Sequence, residues 1–276
     1  MRVLVAIALA LGVSSASAQT KLRYAHVGVA NAPQTLYADE VAKLVKERTN
    51  GRIEIQVFAN SQLGGVNEMV DGVRSGAIAI GHHDFGSLGR IVPNTAVFNT
   101  PFMYRDADHA MRATDPKLSP ALREINQELV QKGNMRIVAA LFQGTRQLTS
   151  KEKVLSVKDM QGKKYRGVPI KLWSSMLTGH MQSILSVFIN EGVYQKLPAA
   201  DRKIMEDTMV EVGKKTLDWD RETAAKYRQD LEAKGMIFVE QKDGLDVEGF
   251  RKSVLAQVNK DFPEWGKYIE QIRAVK

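Results

Sequence analysis

The sequence of 276 residues contains no cysteine. This absence excludes disulfide frameworks, cysteine-ligated zinc, iron–sulfur clusters and thiol nucleophiles. A Gly-x-Ser-x-Gly nucleophile elbow is also missing, as are the glycine-rich phosphate loops GxGxxG and GxxxxGK. The sequence therefore gives no positive sign of the common hydrolase or nucleotide-binding chemistries.

Long apolar runs and clustered charges are scarce as well. After residue 18, no run approaches the ~20 apolar residues that a membrane-spanning helix needs. The 39 basic and 31 acidic residues give a net charge of +8, but they are scattered along the chain. Without a basic stripe, this excess does not indicate a nucleic-acid partner. With 44% apolar residues, the composition is that of a folded globular protein.

The first 18 residues have the pattern of a secretory signal peptide. Arg2 precedes an apolar run from Val3 to Val13, and Ala16-Ser17-Ala18 matches a small-x-small cleavage site. The run is shorter than a membrane anchor requires. We therefore expect cleavage before Gln19 and export of the mature chain to the periplasm.

The mature chain opens with a β-α-β-α-β pattern. The predicted elements are a strand over 22–29, a helix from about 31 to 50, a strand over 52–58, a helix ending at 75 and a strand over 77–81. This order, with short glycine-containing joints, predicts right-handed crossovers and a parallel sheet. Ligands of such sheets bind beyond the carboxyl ends of the strands.

One long helix dominates the second half of the chain. The predicted elements there are helical residues 106–132, a strand over 136–142, a capped turn over 156–162, a strand over 164–168, the long helix over 200–234, a strand over 236–240 and helical residues 246–273. The long helix would extend ~50 Å, more than one small domain, so we expect it to bridge two lobes. Its nearly cancelling charges are typical of a solvated helix face.

The run His82-His83-Asp84 follows the third predicted strand and suggests two interpretations. Adjacent histidines on a strand point to opposite faces, so they do not readily share one metal ion, and His82 with Asp84 leaves a zinc site short of ligands. The position of Asp84 past a strand's carboxyl end favours a binding role. The alternative is that Asp84 caps a loop. No metal or other cofactor is expected.

Two arginines stand where the chain enters the second lobe. Arg146 lies in the run Gln143-Gly144-Thr145-Arg146-Gln147, directly after the 136–142 strand, and Arg166 lies in the predicted 164–168 strand. A guanidinium holds a carboxylate through two parallel hydrogen bonds, which lysine cannot do. A surface or interlobe ion pair is the alternative for either arginine. Trp173 is either an aromatic wall of the same site or a core residue.

Several motifs together resemble a known family. They are Leu22-Arg23-Tyr24-Ala25-His26, Ala38-x-x-Val41, Ser61-Gln62-Leu63-Gly64, Val97-Phe98-x-x-Pro101-Phe102, Gly144-Thr145-Arg146-Gln147 and Asp159-x-x-Gly162-Lys163-Lys164-Tyr165-Arg166. In this order they resemble the solute-binding proteins of TRAP transporters, the DctP family. The similarity extends over nearly the whole mature chain.

This resemblance implies an α/β, two-lobed fold like the type II periplasmic binding proteins, with a long interlobe helix. Domain I would comprise 19–143 and 184–223, and domain II would comprise 144–183 and 224–276. The protein would be an extracytoplasmic receptor, acting as a monomer, that delivers an organic acid to the membrane permease subunits of an ion-driven transporter.

The resemblance also implies roles for single residues. Arg166 matches the family arginine that grips the ligand carboxylate, and Arg146 matches a second arginine near the site. Asp84 aligns with a polar binding position, and Trp173 is the candidate aromatic neighbour.

One departure from the family pattern follows the Arg166 strand. Residues 173–176 run almost directly into residues 177–180, which look like the far side of a longer segment. Two strand–helix units, roughly 50 residues by the size of a βαβ unit, are missing. We therefore expect a depleted second lobe. The alternative functions are an exported enzyme or a scaffold of the same fold that no longer binds a ligand, since a fold does not fix a function.

Overall fold

The computed structural model describes residues 19–146, 150, 152–162, 164 and 181–276. These residues contain a five-stranded mixed sheet with the strand order β2-β1-β3-β5-β4. Its strands are β1 (Thr20–Ala25), β2 (Ile53–Phe58), β3 (Ile80–Asp84), β4 (Met135–Arg146) and β5 (Met181–Asn190). β1 pairs in parallel with β2 and β3, as predicted, whereas β5 runs antiparallel to both β3 and β4.

Helices cover both faces of this sheet. They are α1 (Pro33–Arg48), α2 (Val66–Ser75), α3 (Ala107–Ala113), α4 (Pro120–Gly133), α5 (Glu191–Lys196), α6 (Ala199–Ala233), α7 (Val247–Asp261) and α8 (Gly266–Ala274). The predicted start of α1 is confirmed, because Pro33 occupies its first turn, where no backbone donor is needed. α2 ends at the predicted glycine, Gly76. The capped turn is also confirmed, as a 3₁₀ helix over Val157–Met160.

The long helix α6 contains 35 residues and matches its predicted bounds to within one residue. Its first half packs on β4 and α1 through Met205, Met209 and Val212, which are fully buried. Gly213 brings the helix unusually close to the sheet, since a Cβ on that residue would lie 2.2 Å from the carbonyl oxygen of Ala140. From residue 221 onward the helix is largely exposed.

Two apolar clusters lie on opposite faces of the sheet. One contains residues of α1 and α6, and the other contains residues of α2, α4 and α8. In the second cluster Tyr268 and Ile272 of α8 pack with Ile125 of α4. The C-terminal residues that the sequence assigned to domain II thus share a core with α4, which it assigned to domain I. The division into domains stays a prediction.

Several predicted elements differ from the observed ones. The strand expected over 236–240 is wrong: this segment pairs with no strand in the described part of the chain, and Ile237 is 84% exposed. The third strand begins three residues later than expected, because the amide of Ile78 bonds to the carbonyl of Gly72 at the end of α2. The helical stretch predicted over 106–132 is interrupted near Pro116 and Pro120. The stretch predicted over 246–273 is interrupted at Pro263.

The predicted strand over 164–168 lies outside the described residues. Within the residues that the structure does describe, no helix is both long enough and apolar enough to cross a bilayer.

Candidate functional site

The carboxyl ends of β1, β3 and β4 lie at one edge of the sheet. β4 and β3 each run antiparallel to β5, so they are parallel to one another and end on the same side. β5 begins at this edge, where Ser183 pairs with Gly144. The predicted site residues Asp84 and Arg146 are the last residues of β3 and β4. The topology therefore brings these two side chains to the same edge.

Asp84 is almost fully buried and has defined neighbours for both carboxylate oxygens. Its Oδ1 accepts a hydrogen bond from the amide of Ser87 at 3.1 Å, which caps the short 3₁₀ helix Phe85–Leu88. Its Oδ2 lies 2.7 Å from Nδ1 of His83. Asp84 thus caps this turn, as the capping alternative predicted. A ligand contact by Asp84 stays a prediction.

His82 and His83 point to different surroundings, as expected for neighbours on a strand. His82 is buried, its Nδ1 lies 2.8 Å from Oη of Tyr24, and its ring stacks on that of His26 at 4.8 Å. Burial lowers the pKa of His26 to about 4, and burial with the neighbouring histidines lowers the pKa of His82 well below its usual value. Both imidazoles are therefore neutral at pH 7. Among the described residues, no three acidic or histidine side chains form a metal-binding group.

Arg146 is half-buried and belongs to a chain of polar contacts. Its Nε donates to Oγ of Ser183 at 3.4 Å, and this hydroxyl donates to Oε1 of Gln143 at 3.0 Å. Nε2 of Gln143 in turn donates to Oε1 of Gln34 on α1 at 3.2 Å. Burial lowers the pKa of Arg146, and the charge of Asp84 opposes this shift. The arginine nevertheless stays a cation, because its ordinary pKa lies far above neutrality.

Asp220 on α6 also reaches this edge of the sheet. Its Oδ1 lies 3.1 Å from the position that a Cβ of Gly144 would occupy. Gly144 has a φ of +114°, which a residue with a side chain rarely adopts. Burial raises the pKa of Asp220, and the neighbouring Arg221 partly offsets the rise. The bare backbone at Gly144 therefore leaves room for the half-buried carboxylate of Asp220 near the end of β4.

Two of the predicted site residues, Asp84 and Arg146, lie together at this edge, and their binding roles stay predictions. Arg166 and Trp173 lie outside the described residues, so their predicted roles stay predictions. Gln34, Gln143 and Ser183 carry no motif of their own. Their contacts link a helix and two strands that are far apart in the sequence.

The chemistry of this arrangement suits a small polar anion. Hydrogen-bond donors and acceptors lie close together at the end of the sheet. They are the guanidinium of Arg146, the carboxylates of Asp84 and Asp220, the amides of Gln34 and Gln143, and the hydroxyl of Ser183. The hydroxyl of Ser183 donates to an amide oxygen, whereas a nucleophilic serine would donate to a base. The arrangement is thus suited to holding a ligand rather than attacking it.

A separate cavity of about 400 Å³ lies between α3 and α6. Met111, Ala140 and Leu217 form its apolar floor. An ion pair between Asp108 and Arg221, 2.7 Å long, stands at its rim. This cavity contains neither Arg146 nor Asp84 and is distinct from the polar site.

A family model for bacterial extracellular solute-binding proteins, family 7, named DctP, matches residues 24–177 and again residues 174–261. The two matches together include most of the chain, and they meet at residues 174–177. The first match therefore ends after β4, and the second match begins before β5.

Curated relatives agree with this match. A solute-binding protein of Verminephrobacter eiseniae is 28% identical over an alignment of 314 residues, covering 95% of this chain and 91% of the relative. The sialic acid-binding periplasmic protein SiaP of Vibrio cholerae is 26% identical over 60% of this chain, which spans only 50% of SiaP.

Solved structures share the fold. A TRAP periplasmic solute-binding protein from Desulfovibrio desulfuricans with bound sn-glycerol-3-phosphate superimposes with a TM-score of 0.81 at 20% identity, covering 92% of this chain and 96% of that one. One from Xanthobacter autotrophicus with bound β-D-galacturonate gives a TM-score of 0.78 at 20% identity, covering 92% and 100%. The resemblance and the α/β fold of TRAP periplasmic binding proteins are confirmed. The chain belongs to the DctP family, the bacterial extracellular solute-binding proteins of family 7.

Proposed function

We propose that this protein is an extracytoplasmic receptor that captures an organic acid and delivers it to the membrane permease subunits of a TRAP transporter. The observation that carries the proposal is the half-buried Arg146 at the carboxyl edge of the sheet. A cation in this position attracts an anionic ligand, and its planar fork suits a carboxylate. SiaP is named for sialic acid, and the Xanthobacter structure holds β-D-galacturonate; both of these ligands carry a carboxylate.

Arg166 and Arg146 share the ligand in this proposal. Arg166 forms the bidentate contact with the carboxylate, and Arg146 supports it from the end of β4. Trp173 forms an aromatic wall beside them. Asp84 acts on the ligand through Arg146, because its charge lies near enough to this guanidinium to raise its pKa.

The second lobe is depleted in this chain. The family model matches in two pieces that meet at residues 174–177, where the sequence predicts a missing segment. The alignment with the Verminephrobacter relative is 314 residues long, more than the 276 of this chain, so it opens gaps in this chain. Both observations support the loss of a segment that faces the ligand, and we expect weaker binding than in full-length relatives.

Family members are solute receptors and not enzymes, which agrees with the hydrogen bonding of Ser183. We propose that the chain works as a monomer in the periplasm after cleavage of residues 1–18. An exported enzyme of the same fold is the alternative, and it would require turnover of an acid rather than its reversible binding.

Titration calorimetry of the mature chain tests the proposed function. Matched pairs of an acid and a neutral analogue, such as D-galacturonate with D-galactose and D-gluconate with D-sorbitol, isolate the carboxylate. We expect an acid to bind and its neutral partner to bind at least about tenfold more weakly, since a charge-assisted hydrogen bond is worth ~1.5–3 kcal/mol.

The variant Arg146→Ala should weaken acid binding, whereas Arg90→Ala is a matched control. Arg90 is exposed and pairs with Asp71 on the surface. Equal losses in the two variants, equal affinity for acid and neutral analogue, or consumption of the acid would each contradict the proposal.

A further inference from the structure

The carboxylate of Asp220 is the one acidic group of the site whose role the receptor function does not yet explain. It is half-buried, and its Oδ1 faces the open backbone of Gly144. None of the described residues donates a hydrogen bond to this carboxylate. Partial removal of a carboxylate from water without a protein donor has a cost, which a donor supplied by the ligand would offset.

Asp84, at the same edge, differs from Asp220 because both of its carboxylate oxygens have protein partners. One of its oxygens accepts from the amide of Ser87, and the other lies against His83. Asp220 has no such neighbours and stands on a different element, the interlobe helix α6. The two aspartates are therefore not interchangeable, and Asp220 is the one placed to accept from outside the protein.

The neighbours of Asp220 are mostly neutral. Gln143 precedes Gly144 and is bonded to Ser183 and Gln34. Amides and hydroxyls both donate and accept, which suits the hydroxyl groups of a ligand. Arg221 already supplies positive charge next to Asp220. A ligand ammonium would meet that charge, whereas a ligand hydroxyl would not.

We propose that Asp220 accepts a hydrogen bond from a hydroxyl of the ligand, and that the ligand is a hydroxylated organic acid rather than an unsubstituted one. This inference rests on the proposed function. The arginines hold the carboxylate of the ligand, and Asp220 selects for the hydroxyl. The same carboxylate repels a second carboxylate of the ligand, so simple dicarboxylic acids are disfavoured.

A double-mutant cycle between protein and ligand tests the assignment. Calorimetry of the full mature chain and of Asp220→Ala would use two matched pairs, D-gluconate with hexanoate and L-malate with succinate. We expect the variant to lose about tenfold to a hundredfold in affinity for the hydroxylated acid that binds best. Its affinity for the unsubstituted partner should be unchanged or higher.

Asp218→Ala is the control on the same helix. Asp218 is 68% exposed and pairs with Arg221, so its loss should change affinity less than about twofold by the small worth of exposed pairs. Thermal unfolding of each variant checks that the fold is kept. L-Aspartate serves as the ammonium-bearing counterpart of L-malate.

The outcomes separate this inference from the proposed function. If no acid binds to the parent chain, the receptor function itself is wrong and the inference falls with it. If acids bind but Asp220→Ala weakens a hydroxylated acid and its unsubstituted partner alike, or weakens neither, the receptor function stands and the role of Asp220 is wrong. Stronger binding of L-aspartate than of L-malate would also overturn it.

Discussion

At the residue scale, substitution of Arg166 offers the sharpest test of the proposed contact with the ligand carboxylate. If it holds the carboxylate, Arg166→Ala leaves a ligand charge unpaired in the cleft, which costs ~3–5 kcal/mol, or about a few hundredfold or more in affinity. Arg166→Lys should recover only part of that loss, because a point charge lacks the fork. Calorimetry with the best acid of the panel measures both variants.

The control for this experiment is again the exposed Arg90→Ala, which should bind like the parent chain. A change of less than about fivefold in Arg166→Ala, roughly 1 kcal/mol, would mean that Arg166 is structural. Full recovery by lysine would show that only its charge matters.

The buried pair of His26 and His82 predicts acid sensitivity. The pKa of His26 is lowered by burial from 6.5 to about 4, so the unfolded chain takes up a proton first as the pH falls. Stability is therefore full above about pH 6.5 and declines toward pH 4, by up to about 3 kcal/mol for this residue alone. Urea unfolding at several pH values measures the decline.

His26→Gln supplies the comparison, because glutamine is uncharged throughout this range and can still accept from the amide of Gly28. The difference in unfolding free energy between parent and variant should narrow as the pH falls from 6.5 to 4. A difference that does not depend on pH would show that His26 does not titrate in this window.

From the sequence one can place residues that follow strands, but not residues that are brought together only by tertiary contact. Arg146 and Asp84 were predicted because each stands at the end of an apolar run that forms a strand. Asp220 lies in a helix with nearly balanced charges, and only its approach to Gly144, 76 positions earlier, sets it apart. No local pattern carries that information.

At the scale of elements, the close packing of α6 on β4 requires a residue without a side chain at Gly213. A methyl group on Gly213 would lie 2.2 Å from the backbone oxygen of Ala140, which cannot move as a side chain can. Gly213→Ala should therefore destabilise the protein by about 1–3 kcal/mol or more, although alanine favours helices. Thermal or urea unfolding measures the change.

Gly266→Ala is the matched control at the start of α8. No atom lies within 4 Å of its added methyl, and its φ of −48° is helical. This variant should be neutral or slightly stabilising. If both alanine variants unfold alike, the close packing of α6 on β4 does not limit stability.

Elements with local boundary signals were predicted well. α1 begins at a proline, α2 ends at a glycine, and β2 alternates between apolar and polar residues. β5 was not assigned, because Met181–Asn190 is buried along nearly its whole length and lacks alternation. The segment 236–240 has strand-forming residues, but among the described elements no strand edge lies beside it to complete its hydrogen bonds.

At the scale of the whole molecule, we expect the chain to be exported with cleavage of residues 1–18. The motif Ala16-Ser17-Ala18 predicts a mature N-terminus at Gln19, because signal peptidase recognises small residues at these positions. Intact-mass measurement of the protein from a periplasmic extract should give the mass of residues 19–276. Material from that extract that retains Met1 would contradict the prediction.

The predicted loss of a segment should limit how well the two predicted lobes enclose a ligand. The sheet that the structure describes has five strands, and Asp84 and Arg146 end two of them, β3 and β4. The family model instead breaks at residues 174–177, between β4 and β5. We therefore expect the depletion to affect the predicted second lobe and to leave the described sheet in place.

Restoring the segment should then raise affinity. Inserting between Met176 and Leu177 the residues of the Verminephrobacter relative that align with the gap would rebuild the second wall. We expect the restored chain to bind the best acid of the panel at least about tenfold more tightly, since each ~1.4 kcal/mol of added contact is tenfold. The same insertion carrying Arg166→Ala should gain little, because enclosure strengthens a charge contact only where that contact exists. A cooperatively unfolding restored chain with unchanged affinity would show that the shortened chain already forms the complete site.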